Sequence, residues 1–161
     1  MNLKPTESQK EGEIRLVSRN RKALRDYEIL ETIEAGVSLM GSEVKSIRSG
    51  KLNISDSYAF PDNGELTLKN LHISAWESSG TESHEPLRPR RLLLHKKEIR
   101  KLTQMVAEKG LTIVTLAVYF RNGKVKVELG VGRGRKKHDK RQAIAERESE
   151  RLIRRESKRD A

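Results

Sequence analysis

The sharpest pattern in the chain is a pair of alternating apolar and polar runs over residues 114–131, split by Asn122-Gly123. Asn-Gly is the preferred pair for a two-residue type I′ hairpin, where both loop positions need positive φ. With those two residues as the loop, Arg121 faces Lys124, Phe120 faces Val125, Val118 faces Val127, Leu116 faces Leu129 and Val114 faces Val131. One face of this hairpin is then wholly apolar and belongs to a core. The other face sets Tyr119 opposite Lys126 and Ala117 opposite Glu128, an exposed pattern with an aromatic beside a cation.

Weaker alternation predicts a second hairpin from 27–33 and 37–40, turning through Glu34-Ala35-Gly36. A third joins 57–60 to 65–73 through Pro61-Asp62-Asn63-Gly64, a run rich in turn formers. Helical spacing predicts a short helix over 42–49, closed by Gly50, and a longer one over 92–109, closed by Gly110. In the longer helix Ile99, Leu102, Met105 and Val106 form the inward stripe, while Lys96/Arg100 and Lys97/Lys101 lie outside as i,i+4 neighbours. The expected fold is mainly β with flanking α-helices, an OB-like antiparallel β-barrel of about six strands. Residues 77–86 show neither period and read as a mobile loop.

Charge adds a boundary. Of 161 residues, 34 are Lys or Arg and 23 Asp or Glu, a net charge of +11. The segment 133–161 holds 12 Lys/Arg against 6 Asp/Glu and few apolar residues, too few to offset ordering costs of about 1–2 kcal/mol per residue. The predicted organisation is therefore a flexible N-terminal arm over 1–17, the barrel over 18–132, and a basic tail over 133–161 that is disordered when free. A basic excess of this size favours a polyanionic partner.

Several chemistries lack their residues. The chain has no cysteine, and His72, His84, His95 and His138 are scattered without metal-ligand spacing, so they read as surface or loop histidines. Ser55-Asp56-Ser57 is explained by turn chemistry. Gly130-Val131-Gly132-Arg133-Gly134 has the wrong spacing for a dinucleotide site and reads as a flexible exit from the barrel. No catalytic residue, metal or cofactor is expected, and the protein is not read as an enzyme. Residues 1–13 lack the apolar core of a signal peptide, and no apolar run reaches the ~20 residues of a membrane helix, so the expected location is the cytoplasm with no membrane partner.

Two basic groupings suggest nucleic acid. Arg88, Arg90 and Arg91 beside Lys96 and Lys97 offer several cations to a phosphate strip, and Tyr119 with Lys126 offers a stacking ring and a charge. In the tail, Arg147, Arg151, Arg155 and Arg159 recur every four residues beside a thin Leu152-Ile153 edge. Written as a helix, this segment repels itself, and phosphates would remove the repulsion.

Specific runs go further. Glu34-Ala35-Gly36, the stretch from Gly41 through Lys51, Asn53-Ile54-Ser55-Asp56-Ser57-Tyr58, Arg90-Arg91-Leu92-Leu93-Leu94, and Gly134-Arg135-Lys136-Lys137 leading to His138-Asp139-Lys140-Arg141 occur in an order that resembles the SsrA-binding protein (small protein B) family. The resemblance implies an RNA-binding adaptor that binds the tRNA-like domain of transfer-messenger RNA and delivers it to stalled ribosomes for trans-translation, contacting the small and large ribosomal subunits as a monomer. It further implies an RNA-facing surface that includes Asn20, Tyr27, Glu34, Leu93 and Lys126, near the basic residues Arg90, Arg91 and Lys96. Lys136, Lys137, His138, Asp139, Lys140 and Arg141 would then lie towards the decoding centre. The segment carrying Arg147, Arg151, Leu152, Ile153 and Arg155 would lie as a helix in the vacant mRNA channel. His95 and Ser149 depart from some relatives, which carry Asn and a large aromatic there. The alternatives are a generic OB-type single-stranded RNA-binding protein and an RNA-processing enzyme, the latter lacking any constellation to carry it.

Overall fold

The computed structural model describes residues 13–76 and 83–135, together with Arg151. In chain order the elements are β1 (Ile14–Arg19), α1 (Arg21–Asp26), β2 (Tyr27–Val37), α2 (Gly41–Arg48), β3 (Leu52–Asn53), β4 (Tyr58–Asp62), β5 (Glu65–Lys69), β6 (His72–Ile73), β7 (Arg90–Leu93), α3 (Lys96–Lys109), β8 (Thr112–Arg121) and β9 (Lys124–Gly134). Six strands close into a ring in the order β8-β4-β5-β7-β2-β9, with β9 returning to β8. β1 adds to β8 outside the ring, and β3 pairs with β6 as a separate ribbon. The mainly β fold with helices is as the pattern predicts. Among the described residues no helix is long and apolar enough to cross a membrane.

Two Asn-Gly pairs make the tightest corners. Asn63 and Gly64 have φ of 47° and 79°, and Asn122 and Gly123 have 54° and 77°. Positive φ at both positions matches the right-handed twist of the flanking strands. The first loop is thus shorter than expected, because Pro61 and Asp62 belong to β4 and Asp62 pairs with Glu65.

The β8–β9 hairpin keeps the expected register from Arg121↔Lys124 through Ala117↔Glu128, then slips at Leu116. Beyond the slip Thr115 faces Leu129 and Ile113 faces Val131. A one-residue bulge sends the following side chains to the opposite face. Ile113 therefore joins the main core with Val118, Leu129 and Val131, whereas Val114 and Leu116 form a second cluster with Ala23 of α1. The expected pairs Leu116–Leu129 and Val114–Val131 do not form.

Other boundaries shift for identifiable reasons. Glu34-Ala35-Gly36 is no turn: β2 is continuous, and these residues face Glu128, Val127 and Lys126 of β9. Ile14, Arg15 and Leu16, assigned above to the arm, pair with β8, so the folded unit starts earlier. The longer helix starts at Lys96, because Arg90–Leu93 is a strand bridging β5 and β2. The glycine run is not an exit: a Cβ on Gly132 would meet the Glu28 carbonyl oxygen at 2.1 Å, and one on Gly130 would meet Leu116 at 2.7 Å. β9 continues to Gly134, past the expected barrel boundary at 132.

The loop expected over 77–86 is anchored where it is described. His84 is buried rather than a surface histidine, with Nδ1 at 2.9 Å from Ser42 Oγ and Nε2 at 2.8 Å from the Ile73 carbonyl. Residues 77–82 lie outside the described residues.

Candidate nucleic-acid interface

Gly36 sits opposite Leu93 on one side and Lys126 on the other, which joins β7, β2 and β9 at one point. A Cβ there would lie 3.2 Å from the Leu93 Cβ, so glycine permits the close approach. Leu93 is left 46% exposed, a large apolar side chain in the floor of a groove of about 540 Å³. Glu34, Arg91, Lys96 and Lys126 also line this groove. Lys96 opens α3, whose first turn is tied by the His95 amide donating to Glu98 Oε1 at 3.2 Å. Arg91 stands exposed with Nε 3.5 Å from Glu65 Oε2. Lys97, Arg100 and Lys101 continue the exposed basic face of α3, with Lys101 paired to Glu31. The groove thus combines an exposed leucine, the cations Arg91, Lys96 and Lys126, and the carboxylates Glu34, Glu65 and Glu98, of which Glu65 stands by Arg91 and Glu98 caps α3.

The carboxylate of Glu34 is held from β8. The Tyr119 hydroxyl donates to Glu34 Oε2, and Arg121 reaches the same oxygen through Nε at 3.1 Å and Nη2 at 3.0 Å. The Arg121 guanidinium also lies 6.0 Å from the centre of the Tyr119 ring. Burial, reinforced by the hydrogen bond to Glu34, pushes the phenol pKa well above its ordinary value of 10.0. Tyr119 is consequently no open stacking platform: it is 7% exposed and its hydroxyl is engaged.

Two expected RNA contacts are interior. Arg90 has no exposed surface: Nε bonds Glu43 Oε2, Nη1 the Leu71 carbonyl, and Nη2 the Pro86 carbonyl at 3.1 Å. Arg88 takes the other Glu43 oxygen, so neither arginine joins the expected phosphate strip as a free cation. Asn20 is 3% exposed, and its Nδ2 donates to the carbonyls of Thr115 at 2.8 Å, Ile54 at 3.0 Å and Ser55 at 3.3 Å. Its Oδ1 accepts from the Ala23 amide at 3.0 Å and so caps α1. Tyr27 lies with Asn20 along a second pocket of about 320 Å³, which also contains the Lys22–Asp56 ion pair.

A missed cationic feature is the pair Arg15 and Arg48, 33 residues apart in different elements; their guanidinium carbons lie 5.9 and 5.6 Å from the centre of Phe120. Of the expected tail residues, Arg151 is described and exposed. Lys136, Lys137, His138, Asp139, Lys140, Arg141, Arg147, Leu152, Ile153 and Arg155 lie outside the described residues. Among the described residues no group of His, Cys, Asp and Glu could hold a metal ion.

Comparison with known proteins gives consistent matches. The family model described as "SmpB protein" matches residues 17–159. An SsrA-binding protein of Caldicellulosiruptor bescii is 48% identical over 153 residues, covering 95% of this chain and 97% of that protein. One from Thermosynechococcus vestitus is 53% identical over 146 residues, covering 90% of this chain and 96% of that protein. A chain in a solved structure described as "tmRNA-SmpB: a journey to the center of the bacterial ribosome" is 47% identical with a TM-score of 0.63, over 79% of this chain and 93% of that one.

Proposed function

The chain belongs to the SmpB protein family, and from that premise we propose that its groove is where it holds transfer-messenger RNA on the way to a stalled ribosome. It is an RNA-binding adaptor in trans-translation and not an enzyme; its partners are transfer-messenger RNA and the ribosome. The observation that carries the choice of site is the convergence of Glu34, Leu93, Lys126, Arg91 and Lys96 on one groove. Lysine and arginine attract and position the phosphates, the exposed leucine receives a base or ribose face, and the Glu34 carboxylate accepts from base amines or 2′-OH groups. A carboxylate at such an interface adds discrimination and not raw affinity. Tyr27 extends the contact surface along the second pocket, and Asn20 and Arg90 act from beneath it by shaping the backbone.

The tail has a separate role. The segment from Lys136 to Arg141 reaches the decoding centre, and the four-residue arginine repeat beyond it folds as a helix in the empty mRNA channel. The protein acts as a monomer in the cytoplasm. Competition between the tRNA-like domain and an unrelated RNA of equal length tests the assignment. The expected result is strong preference for the former, lost when Leu93 and Lys126 are replaced together by Ser; equal binding of both RNAs by the parent would mark a generic single-strand binder.

A further inference from the structure

Glu34 differs from Glu31, whose Oε1 meets Lys101 alone, in that donors from two residues converge on one of its oxygens. Oε2 receives the Tyr119 hydroxyl and two nitrogens of Arg121, while Oε1 takes no hydrogen bond from any other described residue. The side chain stands 35% exposed at the edge of the groove. A solitary glutamate on a strand would sample several rotamers and lose that freedom on binding.

We infer that Tyr119 and Arg121 are positioning residues for RNA recognition: they hold Glu34 by Oε2 so that Oε1 alone is presented to a single N–H or 2′-OH donor of the bound RNA. The inference rests on the groove being the RNA site. A phenol is protonated through the physiological range, so the Tyr119 hydroxyl donates there throughout, and its pKa is shifted further upward by burial and the bond to Glu34. The ring of Tyr119 supplies packing, being buried, and its hydroxyl supplies orientation, so the two contributions separate chemically. A phenylalanine would keep the first and lose the second. Arg121 adds charge neutralisation, so the carboxylate meets a polyanion without a net repulsive charge.

The test measures Kd for the tRNA-like domain and for an unrelated RNA of equal length, at one salt concentration, alongside the thermal unfolding midpoint. Glu34→Gln should lower the preference between the RNAs. Tyr119→Phe should lower it by about tenfold, the cost of one charge-assisted hydrogen bond, with little change in unfolding midpoint. The double variant should be no worse than Glu34→Gln alone, because the hydroxyl acts only through that carboxylate. If Glu34→Gln loses the preference while Tyr119→Phe keeps it, positioning is wrong and the groove assignment stands. If Glu34→Gln keeps the preference, Glu34 is not a reader and the inference falls with it. Should Tyr119→Phe fail to fold, Arg121→Leu on the partly exposed hairpin end decides: a reduced preference supports positioning, and an unchanged one overturns it.

Discussion

Arg90 and Glu43 form an ion pair in which neither side chain retains any exposed surface. The remaining valences are also filled: Arg90 donates to the Leu71 and Pro86 carbonyls, and Glu43 accepts from Arg88 and, at 2.8 Å, from the Met40 amide. This network ties α2 to β7, to the Leu71 carbonyl just before β6 and to the Pro86 carbonyl within the connection that leads into β7. It thereby sets where β7 delivers Arg91 and Leu93 to the groove.

Replacing one partner leaves the other buried and unpaired, which costs about 3–5 kcal/mol. Glu43→Gln is therefore expected to lower stability by that order in urea unfolding, while RNA preference survives at temperatures where the variant is folded. Burial alone would raise the Glu43 pKa, but Arg88, the Met40 amide and Arg90 outweigh it and the net direction is downward from 4.5. A depressed folded-state pKa means the stabilisation is complete above the unfolded value and is lost as pH falls below it. Urea midpoints should drop between about pH 4.5 and lower values in the parent, and drop less in Glu43→Gln.

Asn20 separates support from contact. Its amide nitrogen serves three carbonyls, so Asn20→Asp would set a carboxylate against them, whereas Asn20→Ala only removes donors and the α1 cap. Each unsatisfied buried group costs about 1–3 kcal/mol. Asp is expected to be the more destabilising substitution by chemical denaturation. A direct RNA-contact role with little structural weight would instead leave both variants near the parent in stability and weak only in binding.

Among the described glycines, Gly132 has the closest neighbour. Its absent Cβ leaves room for the Glu28 carbonyl, where an added carbon would come within 2.1 Å of backbone and not of a movable side chain. Gly132→Ala should separate β2 from β9 locally and lose more than the ~1–3 kcal/mol typical of overpacking. Gly41→Ala, with open space around it, should change stability little. Hydrogen exchange across Ile29 to Glu31 and 130–133 would locate the damage.

What the sequence made legible follows the same physics. Asn122-Gly123 announced its hairpin because few residues tolerate two positive φ values, and the first five cross-strand pairs followed from it. The bulge at Leu116 left no mark, since Val114 and Ile113 are equally apolar and only the fold decides which faces which cluster. Gly36 was misread as a turn because glycine serves turns and close approaches alike; here it admits Leu93. Arg90 looked like a surface cation because its partner lies 47 residues away in another element. Glu34, Leu93 and Lys126 came from family resemblance, and composition alone reached no further than a polyanion partner.

In the proposed division of work the ring holds RNA and the tail engages the ribosome, and one reaction tests that division most directly. A chain ending at Arg135 keeps all of β9 and the Arg135 amide bond to the Asp26 carbonyl at 2.8 Å. The measurement is peptide tagging on ribosomes stalled at the end of a truncated message, with aminoacylated transfer-messenger RNA and either the full or the shortened chain. The shortened chain is expected to bind the tRNA-like domain nearly as tightly as the parent and to support no tagging. Tagging at the parent rate by the shortened chain would contradict the account.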